Sequence, residues 1–503
     1  MATGITVVEP EVIPVKLNHL GRQNILTSQT KIDESNIADV LSRAMDVHRQ
    51  NRNDLLYLQR YEKGYQPILQ RERTTSTNVN IKVVENTASE ITDFTVGYVF
   101  GNKIALVQRS LSDDIAGTDP KTDSTGVSAL NQMFDELGKT SLDQRLARDF
   151  CITGLGYRMA LANEPRDGNI APFRIIPLDP LNTFVVKSAD VEHRPMMGCT
   201  YWVDDVTGEY HYTCYTETQV FSGKGGTLGF SEKPKVDTNG IGLVPIVEYC
   251  RSYDRMGCFE RVIPLLDAEN ICASDRINSV SQFVQAFLWL HNAELPDGWR
   301  EKLTASGILC TASSENLGEV KLEYLTAALD QSGAQTLSDY YYDRALEIAG
   351  VPGREAASGG SDTGQAVKLR NGWQIAETAA EAMELVFCES ERQFLKVILS
   401  IVNTMTPYNL RLGDLDIKFS RNQTDNLLTR VQALSELIAT GVDPLHSLKL
   451  VSLFPDPQQV YNDSDFMQQT EREAAEAAPP VVGDPGSGEE NPSTVSDSPK
   501  EEQ

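Results

Sequence analysis

Apolar positions along the chain recur every three or four residues in some stretches and every second residue in others, and the change of period marks out the elements. Ile37, Leu41 and Ala44–Met45, behind the cap candidates Asp33 and Ser35, predict a helix from Asp33. Leu55, Leu58 and Tyr61–Tyr65 predict a second helix, ended by Gly64 and Pro67. A third, over Val83–Val99, carries Val84, Ala88, Ile91 and Phe94 on one face, and a strand at Ile104–Val107 follows. Residues 109–126 are polar and turn-rich, an expected exposed excursion. After a helical segment at Ala129–Ile152 the period drops to two. FRIIPL, TFVVKS, CTYWVDD, EYHYTCYTETQVF and LVPIVEYC predict strands as far as Arg251, with Tyr210, Tyr212 and Cys214 alternating along one of them.

Helical spacing returns at Phe259–Ser279 through Val262, Leu265–Leu266, Ile271 and Ile277, and Phe283–Leu290 continues apolar. A mixed block, Pro296–Leu322, holds an expected strand at Gly307–Thr311. Leu325–Ala349 then aligns Ala334, Leu337, Tyr341, Ala345 and Ile348 in one stripe, beside an acidic face of Asp330, Asp339, Asp343 and Glu347. A loop of small residues follows, and after it a helical pattern from Gly364 to Met405 whose internal glycine, Gly372, is the expected bend. A strand at Leu415–Phe419 and helices at Asn426–Thr440 and Pro444–Leu453 come last. Residues 1–32 show little period and predict a flexible arm, and residues 474–503 have the composition of a disordered acidic tail. The fold class these patterns give is α+β, mainly helical.

Charge narrows the function. The chain has 503 residues and a formal net charge of -26. Proteins that grip nucleic acid neutralise phosphates with Lys and Arg, so sequence-specific DNA reading is not expected. No apolar run reaches the roughly 18 residues of a membrane span, and the first residues lack a basic start and apolar core. The eight scattered cysteines lack paired spacing, which predicts free thiols in a soluble, intracellular protein.

Candidate chemistry is sparse. The glycine-rich stretch GREAASGGSDTGQA has no lysine before Lys368, follows a helix, and places Asp362 where a phosphate would sit, so it is not a nucleotide cradle. TGLGYR at Thr153–Arg158 offers two glycines of a dinucleotide fingerprint and reads as a helix-to-strand turn. His193, Cys199, His211 and Cys214 fall on the strand block at intervals that fit no zinc spacing. Motifs such as HEXXH and GXSXG do not occur. The expectation is no catalytic residue, no metal and no cofactor.

The order of these features resembles the portal proteins of tailed double-stranded DNA bacteriophages, of the type found in long-tailed phages of Gram-positive hosts. The stretches that carry it are RYEKGYQPI (Arg60–Ile68), NTASEITDFTVGYVFGNKIAL (Asn86–Leu106), GLVPIVEY (Gly242–Tyr249) ahead of the helix with LLDAEN, and YYYDRALEIAGVPGREAASGGSDTGQAVKL (Tyr340–Leu369). The resemblance implies a non-enzymatic subunit with wing, stem, clip and crown regions. It implies a wing over 33–255, stem helices at 256–279 and 325–349, a clip at 280–324, a tunnel loop at 350–363, a long kinked wing helix and strand at 364–419, and a crown at 420–473.

The DNA-facing loop residues would be Arg354, Glu355, Ala356, Ala357, Ser358, Gly359, Gly360, Ser361, Asp362 and Thr363. Transient phosphate contacts would come from Lys368 and Arg370, and channel-facing stem acids would be Asp339, Asp343 and Glu347. Implied partners are further copies of the chain in a dodecameric ring, non-specific double-stranded DNA, the terminase large subunit, major capsid and scaffold proteins and a head-completion adaptor, with no membrane. The implied location is a capsid vertex of the virion, with the host cytoplasm during assembly. A metal-dependent enzyme using the Cys/His-bearing strand block, and a non-viral ring scaffold, are the alternatives.

Overall fold

The computed structural model describes residues 16–72, 80–108, 124–163, 171–283, 287–291, 321–325, 331–353, 372–421, 427–451, 460–461 and 464. In chain order the strands and helices are β1 (Ile25–Thr27), α1 (Ile37–Glu62), α2 (Thr87–Phe100), β2 (Ala105–Gln108), α3 (Ser124–Glu136), α4 (Lys139–Thr153), β3 (Leu155–Ala162), β4 (Phe173–Leu178), β5 (Thr183–Ser188), β6 (Pro195–Val203), β7 (Tyr210–Tyr215), β8 (Gln219–Gly226), β9 (Gly229–Phe230), β10 (Lys235–Thr238), β11 (Ile246–Cys250), α5 (Ile263–Phe283), β12 (Phe287–His291), β13 (Lys321–Leu325), α6 (Gln331–Ala349), α7 (Trp373–Met405), β14 (Leu415–Lys418), α8 (Leu427–Ala439) and α9 (Pro444–Val451). The chain is α+β and mainly helical, as its periodicities predict.

The strand block forms a seven-stranded sheet in the order β1-β5-β6-β7-β8-β10, with β9 against β8, and a three-stranded sheet β11-β3-β4. The first half of α1 covers the larger sheet: Ile37, Leu41 and Met45 pack with Phe184, Met197, Tyr212 and Phe221. A second core gathers Ile91 and Phe100 of α2, Phe150 of α4, Tyr249 of β11 and Phe387, Phe394 and Ile398 of α7. Residues Gln423–Gln503 make a separate unit, in which α8 and α9 pack on each other around the buried Leu448.

Several boundaries differ from the sequence reading. The two helices expected between Asp33 and Tyr65 are one, because the polar run that suggested a break is turned inward. Asn51 Oδ1 accepts a hydrogen bond from the Gln23 amide (2.9 Å), and the Asp54 carboxylate accepts from the amides of Asn18 (2.7 Å) and His19 (3.3 Å). The same contacts correct the flexible arm: residues 16–32 are bound to the body. Arg22 pairs with Glu260 at 2.6 Å with both side chains fully buried, and β1 pairs in parallel with β5. The helix expected at Ala129–Ile152 is divided at Gly138. Within the apolar stretch after α5, Phe287–His291 is a strand paired with Lys321–Leu325, so Leu325 belongs to a strand and the described part of the following helix is Gln331–Ala349.

One buried ionic cluster ties α7 to the body. Arg158 on β3 donates to Asp143 of α4 (2.6 Å), to the Tyr249 hydroxyl (2.6 Å) and to Glu391 of α7. Lys139 reaches Asp143 (2.6 Å) and Glu391 (3.1 Å), and Tyr249 donates to Glu391 (2.7 Å). The guanidinium lies 3.8 Å from the centre of the Phe394 ring. Two cations face two carboxylates, so the cluster is neutral only while all four members remain. Replacing Glu391 by Ala leaves a net positive charge in a closed core. Urea unfolding should show a loss of about 3–5 kcal/mol, and a change below about 1 kcal/mol would contradict this account.

Candidate functional site

The site is built from α5 and α6, which pack against each other, and from the point where α6 hands over to α7. Its first feature is a polar ladder. Residues four apart on a helix are separated by about 6 Å along the axis, close to the repeat of two residues in an extended chain. Asn270, Ser274 and Asn278 of α5 use this match: their side chains accept from the amides of Glu85 (2.9 Å), Val83 (2.9 Å) and Ile81 (2.8 Å). Asn278 also donates to the Ile81 carbonyl at 2.8 Å, and Asn270 to Gln66 at 2.5 Å. All three ladder residues are buried.

The apolar positions of α5 pay the opposite part. Ile271, Ile277 and Val280 are 44%, 41% and 46% exposed. Ile271 and Ile277, which mark the helical spacing in the sequence, therefore lie off the buried face, where the ladder sits beside Ile263, Leu266 and Ala273. On α6 the inner face is Ser338, Ala345, Leu346 and Ala349, with Tyr342 donating to Glu90 of α2 at 2.9 Å. Leu337 and Ile348 of the expected apolar stripe are 44% and 47% exposed, with Tyr340 exposed beside them, whereas Ala345 of the same stripe is buried. Both helices thus present apolar side chains outward.

Asp339, Asp343 and Glu347 fall on one exposed row at four-residue spacing. Asp339 accepts from Gln335 (2.5 Å) and Glu347 pairs with Arg344 (2.5 Å). Helix α6 ends at Gly350, whose φ of 79° lies in the left-handed region. There the Val351 amide bonds the Leu346 carbonyl (2.9 Å) and the Gly350 amide that of Glu347 (3.2 Å), a Schellman closure. A Cβ added at Gly350 would meet the Ala379 methyl at 3.0 Å. Gly372, also left-handed at 72°, stands beside Pro352, since a Cβ added there would lie 3.8 Å from the Pro352 Cα. The two ends of the intervening segment therefore meet.

Gly372 is the left-handed N-cap of α7, and the part of the expected helix from 364 to 371 lies outside the described residues. Trp373 packs against the stacked rings of Phe94 and Tyr98 of α2, and Tyr98 donates to Glu377 at 2.5 Å. Arg421 joins Glu377 and Glu384 (2.6 Å to the latter) across from them. The loop residues Arg354, Glu355, Ala356, Ala357, Ser358, Gly359, Gly360, Ser361, Asp362 and Thr363, together with Lys368 and Arg370, lie outside the described residues, as does most of 280–324.

The Cys/His set does not converge. Cys199 and Cys214 face each other across β6 and β7, but His211 stacks on Trp202 (3.9 Å) on the opposite face of the sheet, and His193 bonds the Ser188 carbonyl (3.1 Å). Among the described residues no group of three or more His, Cys, Asp or Glu is placed to hold a metal ion, and no helix is long and apolar enough to cross a membrane.

Sequence reading missed the ladder because Asn and Ser at four-residue spacing look like solvent-facing positions. Removing its rungs tests it. Ser274→Ala and Asn278→Ala should each cost about 1–3 kcal/mol by leaving a backbone amide unpaired. Hydrogen exchange at Val83 and Ile81 should quicken, and unchanged protection there would refute the ladder. Next to it, burial pushes the Glu269 carboxyl up to about 7, opposed by the Thr87 hydroxyl it accepts from and aided by Glu85 and Glu90. A carboxyl raised in the folded state binds its proton more tightly there, so its contribution is present below the unfolded value near 4.5 and is lost as pH rises through about 7. Glu269→Gln should accordingly match the parent in urea midpoint at pH 4.5 and exceed it at pH 8, whereas an equal midpoint at pH 8 would contradict the burial.

The family described as phage portal protein, SPP1 Gp6-like, matches residues 42–479, which is most of the chain. No curated protein matches it. The match takes in the polar ladder, both outward-facing apolar rows and the junction of α6 with α7, and on that extent the chain belongs to the SPP1 Gp6-like family of phage portal proteins.

Proposed function

We propose that the chain is the repeating subunit of a closed ring at one capsid vertex, which acts as the conduit for double-stranded DNA during packaging and ejection. The observation that carries this reading is the outer face of the stem pair: Ile271, Ile277, Val280, Leu337, Tyr340 and Ile348 are exposed there, while the inner face of α5 shares its places between the polar ladder and Ile263, Leu266 and Ala273. Apolar rows on two opposed helices need a cover, and identical copies repeated around an axis supply one without adding a component. Family membership supports the same assembly, with about twelve copies as the expected closure.

In this reading α5 and α6 are the stem, β12 and β13 belong to the clip, the body before α5 together with α7 is the wing, and α8 and α9 belong to the crown. Asp339, Asp343 and Glu347 face the channel, where an acidic wall avoids the counterion-releasing contacts that would hold a duplex in place. Residues 354–363 form the loop nearest the DNA, anchored at Pro352 and Gly372, and Lys368 and Arg370 touch passing phosphates. The protein itself catalyses nothing. It is a docking platform for the terminase large subunit, which supplies ATP hydrolysis, and later for the head-completion adaptor, and it is built into the shell with major capsid and scaffold proteins. Assembly takes place in the host cytoplasm.

Electron microscopy of the purified protein tests the ring. Particles of about twelve subunits around a central hole are expected, and a compact monomer at high concentration would overturn the proposal. Leu337→Glu, which places a charge in the outward row of α6 and leaves the inner face untouched, should yield folded subunits that no longer close into rings.

A further inference from the structure

The cysteines rejected as metal ligands have a second relationship that the portal reading does not use. Cys199 and Cys214 are direct partners in the antiparallel register of β6 and β7, and their Sγ atoms are 3.3 Å apart. Both are fully buried in the core between the large sheet and α1, among Phe184, Met197, Tyr212 and Phe221. Directly opposed residues of antiparallel strands have Cα atoms about 4.5–5.5 Å apart, inside the span that a disulfide bridges. Closing the sulfurs to bonding distance therefore asks for side-chain rotation and no movement of the strands.

We propose that Cys199 and Cys214 are a latent disulfide, reduced when the chain folds and joined across β6 and β7 when a small disulfide such as oxidised glutathione reaches them. In the first step the thiolate of one cysteine attacks a sulfur of the oxidant, forming a mixed disulfide and releasing one glutathione thiolate. The neighbouring cysteine, as thiolate, then attacks the protein sulfur of that mixed disulfide and expels the second glutathione. Two electrons pass from the cysteine pair to the oxidant, and the two thiol protons end on the two glutathiones. Burial pushes the Cys199 thiol well up, so the thiolate is scarce while the sheet is closed. The reaction accordingly runs through local opening of the β6–β7 hairpin, and the pair is guarded kinetically. Where the proposed portal role applies, the chain passes from a reducing cytoplasm to the oxidising exterior with the particle, which is the change that would set the bond. The chemistry of the pair does not itself depend on that role.

The test uses the purified full chain, incubated with oxidised glutathione in a low concentration of urea, then blocked with N-ethylmaleimide and mapped by mass spectrometry without reduction. A linked peptide pair containing Cys199 and Cys214, lighter by two hydrogens, is expected. The free-thiol count should fall from eight to six, and dithiothreitol should reverse both changes. In Cys199→Ser the link should vanish and Cys214 should carry glutathione instead. Recovery of both cysteines as maleimide adducts, or as two separate glutathione adducts, while other thiols are oxidised would overturn the proposal. The parent map alone decides this if the variant does not fold. Imaging the oxidised sample for rings reads the portal role separately from the disulfide.

Discussion

Burying Arg158 obliges the rest of the structure to form around it. A guanidinium with 1% of its side chain exposed is stable only if carboxylates and aromatic faces are delivered to it from elsewhere in the sequence. Asp143 comes from α4, Tyr249 from β11, and Glu391 and Phe394 from α7. These contacts set the register of a 33-residue helix that neither its composition nor its length could place. Once α7 is fixed at Glu391, its first turn falls against Phe94 and Tyr98, and Gly372 is brought beside Pro352. The foot of the glycine-rich loop is thus located by an ionic cluster several helical turns away.

The stem pair follows a different rule. A helix that needs one buried face usually fills it with apolar residues, but α5 gives part of its inner face, beside Leu266 and Ala273, to Asn270, Ser274 and Asn278, which satisfy the extended segment before α2. Ile271 and Ile277 are left to the outside, and α6 does the same with Leu337 and Ile348. In an isolated subunit this arrangement leaves the apolar rows in water. In the proposed ring the outer faces are covered by neighbouring copies, which removes that cost.

The strand block and most helices were legible in the sequence because period two and period 3.6 are set by which residues face the core of the chain itself. Legibility failed where a residue's partner could not be known from spacing. Asn51 and Asp54 looked like a break in a helix until the strap at 16–24 was seen to need acceptors. Ile271, Ile277, Leu337 and Ile348 had the spacing of a core stripe, and spacing alone does not tell a subunit's own core from a face kept for another copy. The loop expected at 350–363 lies mostly outside the described residues, which show a left-handed glycine on either side of the gap, Gly350 and Gly372. The cysteine pair escaped as a redox feature because Cys199 and Cys214 become neighbours only through the turn between β6 and β7.

The central claim is that the outward rows of α5 and α6 are covered by further copies of the chain. Hydroxyl-radical footprinting of the assembled protein measures this directly, with the Leu337→Glu variant as the open reference. The account predicts strong protection of Ile271, Ile277 and Ile348 in the assembly, with Val191, which is 98% exposed on the body, labelled equally in both. Equal labelling of the stem residues in the two samples would show that these faces meet water rather than one another, and would contradict it.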